Sequence, residues 1–238
     1  MDILIISIIL ILSIVQSVVG VGLLLFGTPT LLILGFSYTE TIAMLVPASI
    51  CISLLQIHGN FNLIRTKKAV VIFTLPMVLI SLTALIFFEF TIDIKKIVGS
   101  MLILFGLIRV FSLLKSFLQK VVISNRYFFC LIMGFVHGIS NMGGGLLVLF
   151  MDSMFKTKDE IRINVAFGYL LFGIVQISVL AIFSFESFSI MSIVLPLIAI
   201  ITYYFIGRRL GDKVNDHIYQ YFVTFFVFIY GFLSFIKI

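Results

Sequence analysis

Gly134-Phe135-Val136-His137-Gly138-Ile139-Ser140-Asn141-Met142-Gly143-Gly144-Gly145 lies in the middle of a stretch, 127–151, that contains no Asp, Glu, Lys or Arg. Three consecutive glycines are poor in a helix interior, each costing about 1 kcal/mol relative to Ala. A run this apolar is a membrane segment, and in lipid an interrupted backbone survives only where protein or a water-filled cavity covers it. The stretch therefore reads as a broken membrane segment whose break faces the protein interior.

Seven further stretches are equally free of charge: 3–39, 41–64, 69–88, 97–108 (continuing past Arg109 to 114), 163–185, 187–207 and 217–236. A span needs about 20 apolar residues to cross about 30 Å of hydrocarbon. Six of the eight fit as simple helices. Segment 3–39 does not, because one helix of that length would reach about 55 Å. Gly20, Gly22, Gly27 and Pro29 mark where it breaks.

Composition agrees. Hydrophobic residues make up 62% of the 238 positions and charged residues 11%, with a mean hydropathy of +1.29. A soluble domain carries roughly 25% charged residues, so a cytosolic fold is excluded. The net charge of +6 does not imply nucleic acid, because the basic residues sit in short groups between apolar runs rather than along a stripe. Asp2 stands where a signal peptide needs a base and no cleavage site follows, so the N-terminus reads as a mature membrane segment. Cys51 and Cys130 lie inside apolar runs and read as buried free thiols. The chain is expected to be one transmembrane domain, 1–238, multi-pass in the cell membrane and in contact with the bilayer.

The halves resemble each other. Glu40, Gln56 and Pro76 recur 120 residues later as Glu160, Gln176 and Pro196, and Gly20-Val21-Gly22 aligns with Asn141-Met142-Gly143 at a spacing of 121. This predicts a duplication, repeat one over 1–118 and repeat two over 122–238, of the kind found in transporters. The loop charges then choose between two topologies. If all eight segments cross, seven basic residues face one side and eight the other, an unusual tie under the positive-inside rule. If segments one and five are re-entrant hairpins, the groups at 65–68, 115–126, 156–162 and 208–213 share one side with twelve positive charges. Each half is then one hairpin plus three spans, and the halves are inverted. The fold class expected is an all-α integral membrane protein in this arrangement, with eight true spans as the alternative.

The breaks are the candidate site. Where a helix restarts after Gly143-Gly144-Gly145, its first N–H groups lack intrahelical partners and carry the positive dipole end. Glycine lets a ligand approach that backbone. Such a turn suits a small oxyanion, with close packing of helices through small residues as the other reading. Ser140 and Asn141 flank this break, and Gly20 and Gly22 form its counterpart. His137 offers an anion contact, a coupling proton or a structural ring. Gln56 and Gln176 occupy matching places as ligands or as interhelical hydrogen-bond donors. Asn164 reads as a cap or loop contact, Arg109 as a snorkelling side chain, and Glu89, Asp93 and Glu186 as solvated. Pro76 and Pro196 read as matching kinks. No metal, ATP-binding, zinc-protease or serine-hydrolase motif appears, so neither a cofactor nor an enzymatic reaction is expected. His137 and Ser140 have no further motif to make them a catalytic pair.

At these breaks the sequence resembles the TauE/SafE sulfite exporter family of anion permeases, whose repeats each carry a stretch like GxGGG followed by a short apolar run and often Pro. The first copy here reads Gly20-Val21-Gly22-Leu23-Leu24 with Pro29 beyond; the second is the stretch quoted above. Gly207-Arg208-Arg209-Leu210-Gly211 is also similar to the family pattern. Leu23 and Leu24 stand where the family has glycine, and Phe150 where the second copy often has Pro. The resemblance implies alternating-access transport of a sulfite, a sulfonate or another small organic anion, with a coupling proton or cation as the expected partner. A non-transporting membrane scaffold or subunit is the alternative, and would have its breaks packed shut.

Overall fold

A computed structural model describes residues 2–65, 67–88 and 93–211. The expected span at 217–236, together with Glu89, Lys213 and Lys237, lies outside the described residues, as does the side chain of Arg109. Everything described is helix or short connection, with no strand among the described residues. The helices are α1 Asp2–Val19, α2 Leu23–Ile33, α3 Tyr38–Ile57, α4 Val70–Phe88, α5 Ile94–Val110, α6 Ser112–Ser124, α7 Arg126–Ser140, α8 Gly143–Met154, α9 Lys158–Phe183 and α10 Met191–Leu210. Four of them, α3, α4, α9 and α10, run 19 to 26 residues and are apolar enough to cross a membrane. Four shorter apolar helices, α1, α2, α7 and α8, come as two broken pairs.

Segment 3–39 breaks at Gly20 and Gly22 but not at Gly27 and Pro29, which stay inside α2, where Gly27 packs against Leu45 and Leu12. Segment 127–151 breaks at Asn141 and Met142, and Gly143, Gly144 and Gly145 form the first turn of α8 rather than preceding it. Gly20 (φ +82°) and Gly22 (φ +151°) turn the chain between α1 and α2, in backbone regions that L side chains rarely adopt. Asn141 (φ 59°) ends α7 in the left-handed conformation, which Asn tolerates better than most residues. Each pair then folds back on itself. In the first, Gly22 faces Val15 and Gly27 faces Leu12. In the second, Gly143 faces His137 and the rings of Phe129 and Phe150 stack at 6.1 Å.

The recurring Glu40 and Glu160 each stand three residues after an N-cap hydroxyl, and Glu40 closes a capping box, which satisfies orphan N–H groups at a helix start. Ser37 Oγ accepts from the Glu40 N–H, whose carboxylate accepts from the Ser37 N–H at 2.8 Å. Thr157 Oγ1 accepts from the Glu160 N–H at 3.3 Å and donates to its carboxylate at 2.9 Å. The matched glutamates thus start α3 and α9, the two long helices that follow the breaks.

Basic groups converge on one end through direct contacts. Lys115 pairs with Asp152 at 2.9 Å, and Gln119 donates to the same carboxylate. Arg65 pairs with Glu160 at 3.7 Å. Asn164 holds the 63–65 loop by accepting from the Arg65 N–H and donating to the Leu63 carbonyl, both at 2.9 Å. Lys96 instead pairs locally with Asp93 at 3.1 Å. Its hydrogen bonding holds the Asp93 carboxyl below the usual carboxylate range, and Asp93 also caps α5 by accepting from the Lys96 N–H.

Two further expectations need correction. Residues 115–126 are not a loop: α6 covers Ser112–Ser124 and leaves α5 at Phe111 with a bend of 100°, so segment four is not a simple helix reaching 114. The physical reason is amphipathicity. Lys115 and Lys120 interrupt the apolar run, while Leu113, Phe117 and Ile123 remain exposed apolar residues on the same helix. A five-residue π-helical turn, Val70–Thr74, lies just before Pro76 in α4, where proline supplies no N–H to the preceding turn. In α10 the corresponding widening comes after Pro196, at Tyr203–Gly207.

Exposed Leu79, Ile80, Phe128, Ile182, Ile193, Leu197 and Phe205 form the apolar exterior. Cys51 is half-buried and Cys130 buried, both as free thiols. Gly134 and Gly138, four residues apart on α7, lie against the backbone of α4 at Thr74 and Val78, the close approach that small residues permit in membranes.

Candidate functional site

At the first break, α1 ends against a row of polar side chains. Gln56, near the end of α3, donates through Nε2 to the carbonyls of Gln16 at 3.0 Å and Ser17 at 3.1 Å. Helix ends leave their last carbonyls without intrahelical donors, and in an apolar interior these need a side chain. Gln16 in turn donates to Ser49 Oγ at 2.9 Å. Gly20 packs against Arg162, near the start of α9.

At the second break the arrangement recurs with different residues. Gln176 on α9 donates to Asn141 Oδ1 at 3.1 Å, and Asn141 Nδ2 donates to Thr28 Oγ1 on α2 at 2.9 Å. Ser140 Oγ donates to the Val136 carbonyl and accepts from the Met142 N–H. Tyr38, at the start of α3, donates to the Gly138 carbonyl at 3.0 Å. Helix α3 therefore touches the second break at its start and the first near its end. Helix α9 touches them in the opposite order.

The glycines of α8 are walled in. A Cβ on Gly143 would meet His137, one on Gly144 the hydroxyl of Tyr169, and one on Gly145 the ring of Phe105 at 3.1 Å. His137 is fully buried, its ring 4.5 Å from that of Phe172 and edge-on to Tyr169 at 6.2 Å. Gln176 lies beside the ring, but among the described residues neither ring nitrogen makes a hydrogen bond of ordinary length and angle. The Oε1 atoms of Gln56 and Gln176 are likewise buried without a donor. Both glutamines thus spend their N–H groups on the breaks.

The structure therefore gathers His137, Ser140, Asn141, Gly143, Gly144, Gly145 and Gln176 at one place, and Gly20, Gly22 and Gln56 at another. Sequence reasoning missed Gln16, Ser17, Thr28 and Tyr169. Gln16 was open to discovery as a polar residue deep in a charge-free run. The others carry no local signal. Beside the first break a cavity of about 290 Å³ is lined by Ser17, Gln56, Arg162, Tyr203, Gly207 and Arg208, with Leu55, His58, Asn60 and Tyr204.

Long apolar helices packed around two broken helix pairs, with polar side chains buried at each break, are the construction of a helical membrane transporter. The chain belongs to the sulfite exporter TauE/SafE family, whose model matches residues 5–234. Members of that family are membrane transporters. No curated protein and no solved structure matches the chain.

Proposed function

We propose that this protein is a permease that carries a small anion, of the sulfite, sulfonate or small organic-anion class, across the cell membrane by alternating access. The observation that carries the reading is the crossed support of the two breaks. Each is held by a glutamine at matching sequence positions, Gln56 on α3 and Gln176 on α9, and each is also met by the start of the other long helix. Two repeats inverted about an axis in the membrane plane have this relationship. The broken pairs are re-entrant hairpins in this reading, entering from opposite faces, with the basic groups near 65, 115–126, 156–162 and 208 on the cytoplasmic face.

A polar cavity supports transport over a scaffold role. It draws Ser17 and Gln56 from the first half and Arg162 and Arg208 from the second. Reconstitution in liposomes tests the proposal. Labelled sulfite, methanesulfonate, sulfate and acetate would be offered with and without an imposed pH gradient. Saturable uptake of at least one anion, absent from empty liposomes, is the expected result; no uptake of any would leave the scaffold reading.

A further inference from the structure

We infer that the cavity beside the first break is the station at which a small oxyanion binds on the basic face, with Arg162 as its principal anchor and Arg208 at its rim. The inference rests on the permease reading and gives it a site the glycine motifs do not mark. Among the described residues lining the cavity two are arginines and none is Asp or Glu. Two guanidiniums at one cavity raise the local anion concentration and offer forked donors suited to an oxyanion.

Arg162 is the better placed of the two. Its side chain is only 24% exposed, and its ion pair, with Asp159 at 3.4 Å, uses a single Nη of the fork and a carboxylate that is 71% exposed. Its Nε is buried with no acceptor among the described residues. A guanidinium held this far from water and paired this loosely leaves donors for a ligand. Arg208 is exposed, as an entry residue would be. Tyr203 is fixed by donating to the Leu55 carbonyl at 3.3 Å and forms part of the cavity wall.

The volume selects small ligands. About 290 Å³ lies at the foot of the range for ligand pockets, so a sulfite or short sulfonate fits better than a bulky organic anion. The inner wall is a closed door: a Cβ on Gly207 would run into Ser17, so α10 and the end of α1 are already in contact there. An anion on Arg162 sits beside the first break, because Gly20 lies against the Arg162 side chain, and α1 must open there to let it pass.

An anionic phospholipid headgroup presents the same chemistry, and the test separates the two. Sulfite and methanesulfonate would be titrated calorimetrically into detergent-purified wild type, Arg162→Gln, Arg162→Lys, Arg208→Gln and Lys95→Gln, with matched thermal stability and with and without added dioleoylphosphatidylglycerol. Arg162→Gln should weaken sulfite binding at least about tenfold, the loss of a charge-assisted hydrogen bond. Arg162→Lys should recover part of it, and Lys95→Gln, remote from the cavity, should bind as wild type. Wild type that binds and transports sulfite while Arg162→Gln and Arg208→Gln do the same would overturn the site and leave the permease reading standing. Loss of phosphatidylglycerol binding alone would make the cavity a lipid site instead. Wild type that neither binds nor transports any probe anion would overturn both.

Discussion

Gln176 and Asn141 are joined by a 3.1 Å hydrogen bond from the glutamine amide to the asparagine oxygen, and Asn141 is the non-glycine residue with positive φ among the described residues. The side chain that stabilises the turn is thus held by the long helix packed beside it. Asn141→Ala removes two buried hydrogen bonds and places an alanine in the left-handed region. The loss should be about 2–3 kcal/mol. Asn141→Gly should recover about 1 kcal/mol of that through its backbone freedom. Unfolding in mixed detergent measures both; equal stability of the two variants would show that φ at this position is not limiting.

Gly144 tests whether the glycine run is a cradle or a packing device. Because a Cβ there would enter the space of the Tyr169 hydroxyl, Gly144→Ala should destabilise by about 1–3 kcal/mol, the range of core overpacking. Tyr169→Phe in the same chain should restore part of the loss. If that double variant, once folded, binds sulfite like wild type, the glycines serve packing; weakened binding at matched stability would restore the cradle.

The pairing of Lys115 with Asp152 bears on topology. Single cysteines at Lys120 and Lys156, in a background lacking Cys51 and Cys130, should react with an impermeant thiol reagent from the same, cytoplasmic side. Labelling from opposite sides would mean that α7 and α8 together cross the membrane.

His137 faces Tyr169, Phe172, Gly143 and Gln176, none of which is anionic. An imidazolium formed there would have no counter-charge, and an unpaired buried charge is costly. His137→Leu should therefore keep the response of uptake to an imposed pH gradient, provided the protein folds. Loss of that response with substrate binding intact would make His137 the coupling group.

The breaks were legible because charge-free length and glycine speak locally: a 37-residue run from 3 to 39 cannot be one membrane helix. The matched glutamates were visible as a repeat, but their role became clear only with Ser37 and Thr157 three residues earlier. Helix α6 escaped notice because its lysines looked like loop charges, although Leu113 and Phe117 already stood one turn apart. Gly134 and Gly138 were read as part of a break motif, while their spacing of four was the signal for the close approach of α4. Nothing local could unite Ser17, Gln56, Arg162 and Arg208. They are brought together by helix crossing; in the sequence Arg162 is only a member of a charge count, and Arg208 adds to that its place in the Gly207–Gly211 pattern.

Tyr38 and Gln56 lie 18 positions apart on α3, about 27 Å along the axis at 1.5 Å per residue, and each grips a different break. A stiff rod pinned at both ends works as a see-saw. Tilting it by roughly 10° about its midpoint, close to Pro47, would carry its ends about 2 Å in opposite directions. A slackened grip at one break would then come with a changed grip at the other. The two breaks are linked by the geometry of a single helix, without any signal having to pass through the side chains between them.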